Sequence, residues 1–285
     1  IIKSNQLLGS NIAILIGLLF NKKVIVRIGY EPNLNITYDK FLPAESRNKS
    51  INKFFIMKFY FLGLFSYKLC DHIICTTKVQ KNFIKKNFFI KDSKISIIPN
   101  WIDTDLFSPA NNDYNKKGIL YIGRLEPEKN PEFLLNSMYG IKEKITFIGA
   151  GSLKNKLLKI AKDNSIDIEI MDPVPNENLV SFYRNCKLFI QSSYYEGNPK
   201  TILEAMSCGC AVIAKNVVGI KELINKKNGV LIDSETDLNR VIKDLLKNKI
   251  RRQELGKNAR REIKYHNDIN LCLEKEKQIF FKLKN

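Results

Sequence analysis

The sequence predicts an α/β protein made of two parallel, Rossmann-like units. Short apolar segments of buried-strand type alternate with helical patterns along the whole chain, an arrangement that builds parallel sheets. Six such segments follow from Gly118 onward, enough for one complete doubly wound domain. Between the halves, the run Pro99 to Pro109 and the polar stretch Asn111 to Lys117 read as a linker.

Taken in order, Ile12 to Phe20 is apolar but far too short to span a membrane. No small-residue cleavage site follows it, so it reads as a helix leading into a strand at 24–28. Helices are expected near 48–68 and 78–87, and strands at 72–76 and 95–99. The second series places strands at 118–123, 144–149, 168–172, 188–192, 211–215 and 229–232. A helix is expected over 176–185, and 235–247, 249–265 and 267–282 read as helices. The first half holds about half as many strands as the second, and Ile1-Ile2-Lys3 reads as mid-domain sequence. The expected division is 1–108 for an incomplete N-terminal domain and 109–265 for a complete C-terminal one. Residues 266–285 are expected to form a helix returning toward the first domain.

Composition narrows the function. The chain of 285 residues is 44% hydrophobic and 27% charged, as soluble globular proteins are. Its net charge of +18 invites nucleic acid as a partner, yet no zinc-finger, RRM or basic-zipper pattern appears. Basic side chains outnumber acidic ones more than twofold in residues 1–108. A face meeting an anionic membrane or phosphorylated acceptors fits that bias better. The six cysteines form no disulfide framework, and Cys208-Gly209-Cys210 stands without a second pair or a nearby histidine, which argues against zinc. Free thiols and a cytoplasmic setting follow.

The chemistry concentrates in Tyr195 to Gly209, where Glu196 and Glu204 lie eight residues apart across a loop entering a helix. Pro199 suits the first helical turn, and Gly209 suits the left-handed residue beyond its end. The helix start is a natural anion site. On spacing alone, a glutamate early in a helix is equally explained by the dipole. A second group, Gly123-Arg124 followed by Lys129, puts two cations just after a buried strand. In open α/β sheets that position faces the ligand crevice.

The string Glu196-Gly197-x-Pro199, then Glu204-Ala205-Met206 and Gly209, closely resembles the signature of retaining GT-B glycosyltransferases, in particular glycosyltransferase family 4, the group 1 transferases. Gly123-Arg124 with Lys129 resembles the family's other phosphate-binding element. The resemblance implies two Rossmann-like domains facing a cleft and a UDP- or GDP-sugar as donor. It implies no obligatory metal and no cofactor. By resemblance, Arg124 and Lys129 neutralise the leaving diphosphate, Glu204 holds the ribose and Glu196 contacts donor-sugar hydroxyls. Backbone N–H groups of the stretch Gly197, Asn198, Lys200, Thr201 and Ile202 approach phosphates and sugar. The loop Asp172-Pro173-Val174-Pro175 then lies against the base, with Val174 as the contact. Asp103-Thr104-Asp105 matches a metal motif of the other large transferase fold, but its place in the linker favours a junction element instead.

Departures matter as well. Where many relatives carry Thr-x-His-Gly, this chain has Val26-Arg27-Ile28-Gly29-Tyr30. His72 falls inside a strand, and His266 falls between C-terminal helices. The segment Lys49 to Lys68 is rich in Phe and Tyr. It reads as a core-packing helix with a lysine-decorated outer face, or else as an interfacial membrane helix. The expected function is a hexosyl transfer to a surface polysaccharide, lipopolysaccharide or lipid-linked acceptor, at the inner face of the cytoplasmic membrane. Two alternatives remain: a nucleotide-sugar 2-epimerase-like enzyme, and a nucleotide-binding remnant without turnover.

Overall fold

The structure is a computed structural model that describes residues 1–29, 31, 32, 34, 53–110 and 116–284. The chain divides into two compact units, Ile1–Asn100 with Asn270–Asn285, and Trp101–Ile269.

The first unit runs β1 (Ile2–Ser4), α1 (Ser10–Leu19), β2 (Val24–Ile28), α2 (Lys53–Leu69), β3 (His72–Cys75), α3 (Lys78–Phe88) and β4 (Ile95–Ile97). Its strands pair in parallel in the order β1-β2-β3-β4. All five residues of β2 are buried, as a parallel strand covered on both faces requires. One face packs Val24, Val26, Ile28 and Ile73 against Ile14 of α1, Phe59 and Tyr67 of α2, and Ile84 and Phe88 of α3. The other face packs Ile25, Ile74 and Ile98 against Cys272 of the last helix of the chain. Arg27, buried in β2, donates to Glu276 Oε1 at 2.5 Å, and Lys3 donates to Glu276 Oε2 at 2.5 Å. That double ion pair fixes the C-terminal helix to the sheet. Helix α3 starts where Thr77 accepts from Gln80 N, and Phe89 ends it at φ 54°.

The three-residue β1 has no counterpart in the sequence reading. The outer face of α2 carries the exposed Lys58 and Lys68, but it also exposes Phe54, Met57, Phe61 and Phe65, which a core-packing helix does not require. Residues 48–52 of the expected helix lie outside the described residues.

The second unit carries β5 (Ile119–Ile122), α4 (Pro131–Asn136), β6 (Ile145–Ile148), α5 (Lys154–Asp163), β7 (Ile168–Met171), α6 (Leu179–Asn185), β8 (Leu188–Gln191), α7 (Lys200–Ser207), β9 (Ala211–Lys215), β10 (Val230–Ile232), α8 (Glu235–Lys247) and α9 (Lys249–His266). Then α10 (Ile269–Lys284) leads into the first unit. The sheet is parallel, in the order β10-β9-β8-β5-β6-β7. Strands alternate their residues between two cores. Leu120, Phe189 and Val212 meet α6, α7 and α9, while Ile119, Tyr121, Phe147 and Ile213 meet α4, α5 and α8. Each such fully buried aliphatic side chain stabilises the unit by about 1.5–3 kcal/mol.

The stretch after Pro99 is not a loose linker over residues 101–110. Ile102 and Phe107 are buried in the second unit's core. The Ile102 N–H donates to Asn267 O at 2.8 Å, and the Ile269 N–H donates to Ile102 O at 3.0 Å. Residues 111–115 lie outside the described residues. The expected helix over 176–185 opens with a 3-10 turn, Asn176–Asn178, before α6. All six cysteines are buried thiols, three in each unit.

Candidate functional site

In the second sheet the chain winds from β5 outward through β6 and β7, then from β8 outward the other way. The direction of winding switches between β5 and β8, and ligands of such sheets bind beyond the carboxyl ends at that switch. The segments there are Gly123 to Asn130, after β5, and Ser192 to Pro199, after β8.

The first segment is held from below and from the side. The Gly123 N–H donates to Ile148 O at 3.1 Å, and the Leu125 N–H donates to Ala150 O at 2.8 Å. A Cβ on Gly149 would lie 2.0 Å from Gly123 O, and one on Gly151 would lie 2.3 Å from Leu125 O. The pair Gly149 and Gly151 therefore lets the turn after β6 lie directly against the strand of chain that bears Arg124. The sequence reading missed this pair, although two glycines one residue apart directly after an apolar strand were visible. Tyr121 Oη then donates to Lys129 O, and Ser192 Oγ donates to Asn130 O at 2.7 Å, which fixes the backbone at Lys129.

Lys129 and Glu196, far apart in sequence, meet here. Lys129 Nζ lies 2.7 Å from Glu196 Oε1, and both side chains are largely buried. Ser193 Oγ donates to the same oxygen at 2.7 Å, and Gln191 Nε2 at 3.0 Å. Three donors on Oε1 set the carboxylate's orientation. Arg124 is placed differently: its side chain is 67% exposed and pairs with Glu128 at 2.6 Å. Gly197 continues the loop, and a Cβ on Gly219 would come within 2.0 Å of Gly197 O and 2.1 Å of Glu196 O. The bend after β9 thus supports the Glu196 backbone from behind, a contact with no local signal in sequence. Lys215, at the end of β9, adds its ammonium 4.2 Å from the Tyr194 ring centroid.

Helix α7 begins at Lys200 with Pro199 as its N-cap, no side chain capping it and no acid in its first turn. Its positive end is therefore left for an external anion. Gly209 follows the helix end at φ 70°. Asn198 is buried beside the helix start, and Thr201 Oγ1 donates to Gln191 Oε1 at 3.4 Å. Ile202 sends its side chain into the core, so it can reach a ligand only through its backbone N–H. Lys200 is exposed, with Nζ 4.7 Å from the Trp101 ring centroid.

Glu204 lies one turn deeper and is only 3% exposed. Its Oε1 accepts from Asn176 Nδ2 at 2.9 Å, and its Oε2 accepts from Tyr183 Oη at 2.8 Å. Burial pushes its carboxyl pKa up, opposed by those two hydrogen bonds and by the charge of Lys200. Carboxylate oxygens carry about four lone-pair positions, so acceptor capacity remains beyond these two bonds. Val174 is half-buried and packs on the same core cluster as Tyr183. Asn176 and Tyr183 went unnoticed in the sequence, since nothing local links them to Glu204.

Asp103 spends its Oδ1 on the backbone N–H groups of Asp105 and Leu106, which makes it a turn residue. His72 lies at the start of β3 with Nε2 2.9 Å from Ser96 Oγ. His266 is the last residue of α9.

The fold and the placement of these residues define the class: parallel α/β units of the GT-B glycosyltransferase type. Comparison with known proteins specifies it. Residues 103–262 match the family described as glycosyl transferases group 1, and residues 37–106 match glycosyltransferase family 4. The chain belongs to the glycosyl transferases group 1 family. It is 30% identical over 179 residues to an uncharacterized glycosyltransferase of Methanocaldococcus jannaschii, covering 57% of this chain and 51% of that protein. It is 26% identical over 192 residues to a Campylobacter jejuni enzyme, covering 64% of this chain and 53% of the other. That enzyme is N-acetylgalactosamine-N,N'-diacetylbacillosaminyl-diphospho-undecaprenol 4-alpha-N-acetylgalactosaminyltransferase. The crystal structure of Anabaena HepE in complex with UDP superposes with a TM-score of 0.81 at 12% identity, covering 98% of this chain and 78% of that one. The chain spans about half the length of the curated relatives it matches.

Proposed function

We propose that this chain binds a nucleotide-sugar, UDP- or GDP-linked, and serves a retaining, metal-independent transfer of a hexosyl-type sugar. The acceptor in this reading is a surface polysaccharide, a lipopolysaccharide or a lipid-linked glycan. The observation that carries it is the meeting of Lys129 and Glu196 at the sheet's switch point, beside the uncapped start of α7. The second unit then holds the donor, and the first unit serves the acceptor. The lipid-diphosphate acceptor in the name of the Campylobacter relative supports the lipid-linked option.

Chemically, the diphosphate leaves with developing negative charge, and stabilising that charge is the largest service a site can offer. Lys129, the exposed guanidinium of Arg124 and the N–H groups opening α7 supply it. In this reading Lys129 shifts from Glu196 toward the phosphate as the donor enters. Glu196 Oε1 keeps its bonds from Gln191 and Ser193, and the carboxylate turns to the sugar hydroxyls. Glu204 accepts from the ribose, and Val174 lies by the base. No helix among the described residues is long and apolar enough to cross a membrane. Peripheral contact at the inner membrane face fits the exposed apolar residues of α1 and α2, among them Leu18, Leu19, Phe54 and Phe61.

A binding panel of UDP- and GDP-sugars, repeated with Glu204→Ala and Arg124→Ala, tests the site. Loss of about tenfold or more in nucleotide affinity is expected from each, the scale of one charged hydrogen bond. Unchanged affinity in both would remove the assignment. The anomeric configuration of the product, read by NMR with chelator present, tests retention and metal independence together.

A further inference from the structure

The sheet of the first unit ends at β4, whose outer edge pairs with no strand among the described residues. Beside that edge runs an open groove of about 1110 Å³, bordered by the start of β3, the length of β4, the turn after α3 and one face of α10. Lys68, Lys81, Lys91, Lys94, Lys275 and Lys282 line it, against the single acid Asp71. Asp71 is already engaged by Lys23 and by the Val24 N–H. Of the six lysines, Lys81 pairs with Asp92, while Lys68 and Lys94 donate only to the carbonyls of Phe89 and Lys68. Among the described residues, Lys91, Lys275 and Lys282 have no carboxylate partner.

Ammonium groups gathered without counter-charges repel one another, and an anion in the groove offsets that repulsion. The half-buried His72 senses the same field. Burial first, then the charges of Lys282, Lys94 and Lys81, hold its imidazole below the ordinary pKa. The walls are also apolar, with Ile90, Ile97, Ile279 and Leu283 facing the same space. A bare phosphate would leave that surface wet, whereas an attached hydrocarbon chain covers it.

We propose that this groove binds a phosphate-bearing amphiphile, its phosphate among Lys94, Lys275 and Lys282 and its chain along Ile279 and Leu283. Ligands of open parallel sheets bind at carboxyl ends. This groove runs along the outer edge of β4 in the first unit, and its lining holds none of the residues assigned above to the donor. It does not depend on the transferase reading.

Titration calorimetry of the full chain with dihexanoyl phosphatidic acid, kept below its micellar concentration, tests the site. Inorganic pyrophosphate and dihexanoyl phosphatidylcholine serve as comparisons that separate free phosphate, lipid phosphate and neutral lipid. Phosphatidic acid is expected to bind most tightly. Lys275→Glu with Lys282→Glu is expected to weaken it by about tenfold or more, and the paired glutamine variants by less. Both lysines lie on the exposed face of α10, so circular dichroism should stay unchanged. In proton NMR the His72 titration should move upward on saturation. Three results would overturn the site: no binding of phosphatidic acid, equal binding of pyrophosphate or the neutral lipid, or an affinity indifferent to the double reversal.

Discussion

Glu196 and Glu204 share a motif but live under different physical regimes. Glu196 has three donors on one oxygen, so its geometry is set by hydrogen bonds. Glu196→Gln keeps the shape but offers a neutral amide, and transfer should fall by about 10²-fold or more, as for other lost charge-stabilising groups. Nucleotide affinity should change far less; a parallel loss of both would make Glu196 a binding residue instead. Glu204 is governed by burial, which raises its pKa. An acid whose folded pKa is raised contributes stability that is present below the unfolded pKa and lost as pH rises through the folded value. The melting temperature of the native chain, relative to Glu204→Gln, should therefore be highest below about pH 4 and decline toward neutrality. A relative stability that climbs with pH would contradict the burial argument.

At the scale of elements, the site rests on places where backbones touch. Helix α9 crosses α7 closely enough that a Cβ on Gly256 would sit 2.1 Å from Gly209 O. Gly256→Ala must push the two apart, and thermal unfolding should register a loss of about 1–3 kcal/mol. Gly219→Ala, placed against the carbonyls of Glu196 and Gly197, should cost a similar amount and also weaken nucleotide binding. If Gly219→Ala lowers stability alone, the bend after β9 does not position the loop. These contacts explain what could be read in the sequence. The strands of the second unit were legible because parallel strands are continuous apolar runs; β9 matches its expected bounds, and the other five came out shorter by a residue at one end or both. The three-residue β1 is too short to show any period. The Ser193 and Gln191 bonds to Glu196 are local in sequence, whereas Lys129, Asn176, Tyr183 and Gly219 reach the site only through the sheet's topology. Residues 101–110 read as a linker because Asp103, Asp105 and Pro109 interrupt them and a polar stretch follows. The burial of Ile102 and Phe107 that anchors them depends on partners in α7 and α9.

At the scale of the molecule, the division of the chain and the placement of its thiols coincide. Cys70, Cys75 and Cys272 belong to the first unit, and Cys186, Cys208 and Cys210 to the second. Burial pushes the Cys70 and Cys75 thiols up to about 12 and raises that of Cys208 further. Thiolate is the reactive form, so at neutral pH none of these reacts while its unit stays closed. The chain thus carries two internal clocks, one per unit, each read by alkylation followed by mass spectrometry. In dilute denaturant, labelling within a unit should rise in step for its three cysteines, since one cooperative opening exposes all of them. Saturating nucleotide should slow the Cys186, Cys208 and Cys210 clock by the amount that binding stabilises the second unit, and leave the other running. Labelling that ignores the unit boundary would mean that the two units open as one.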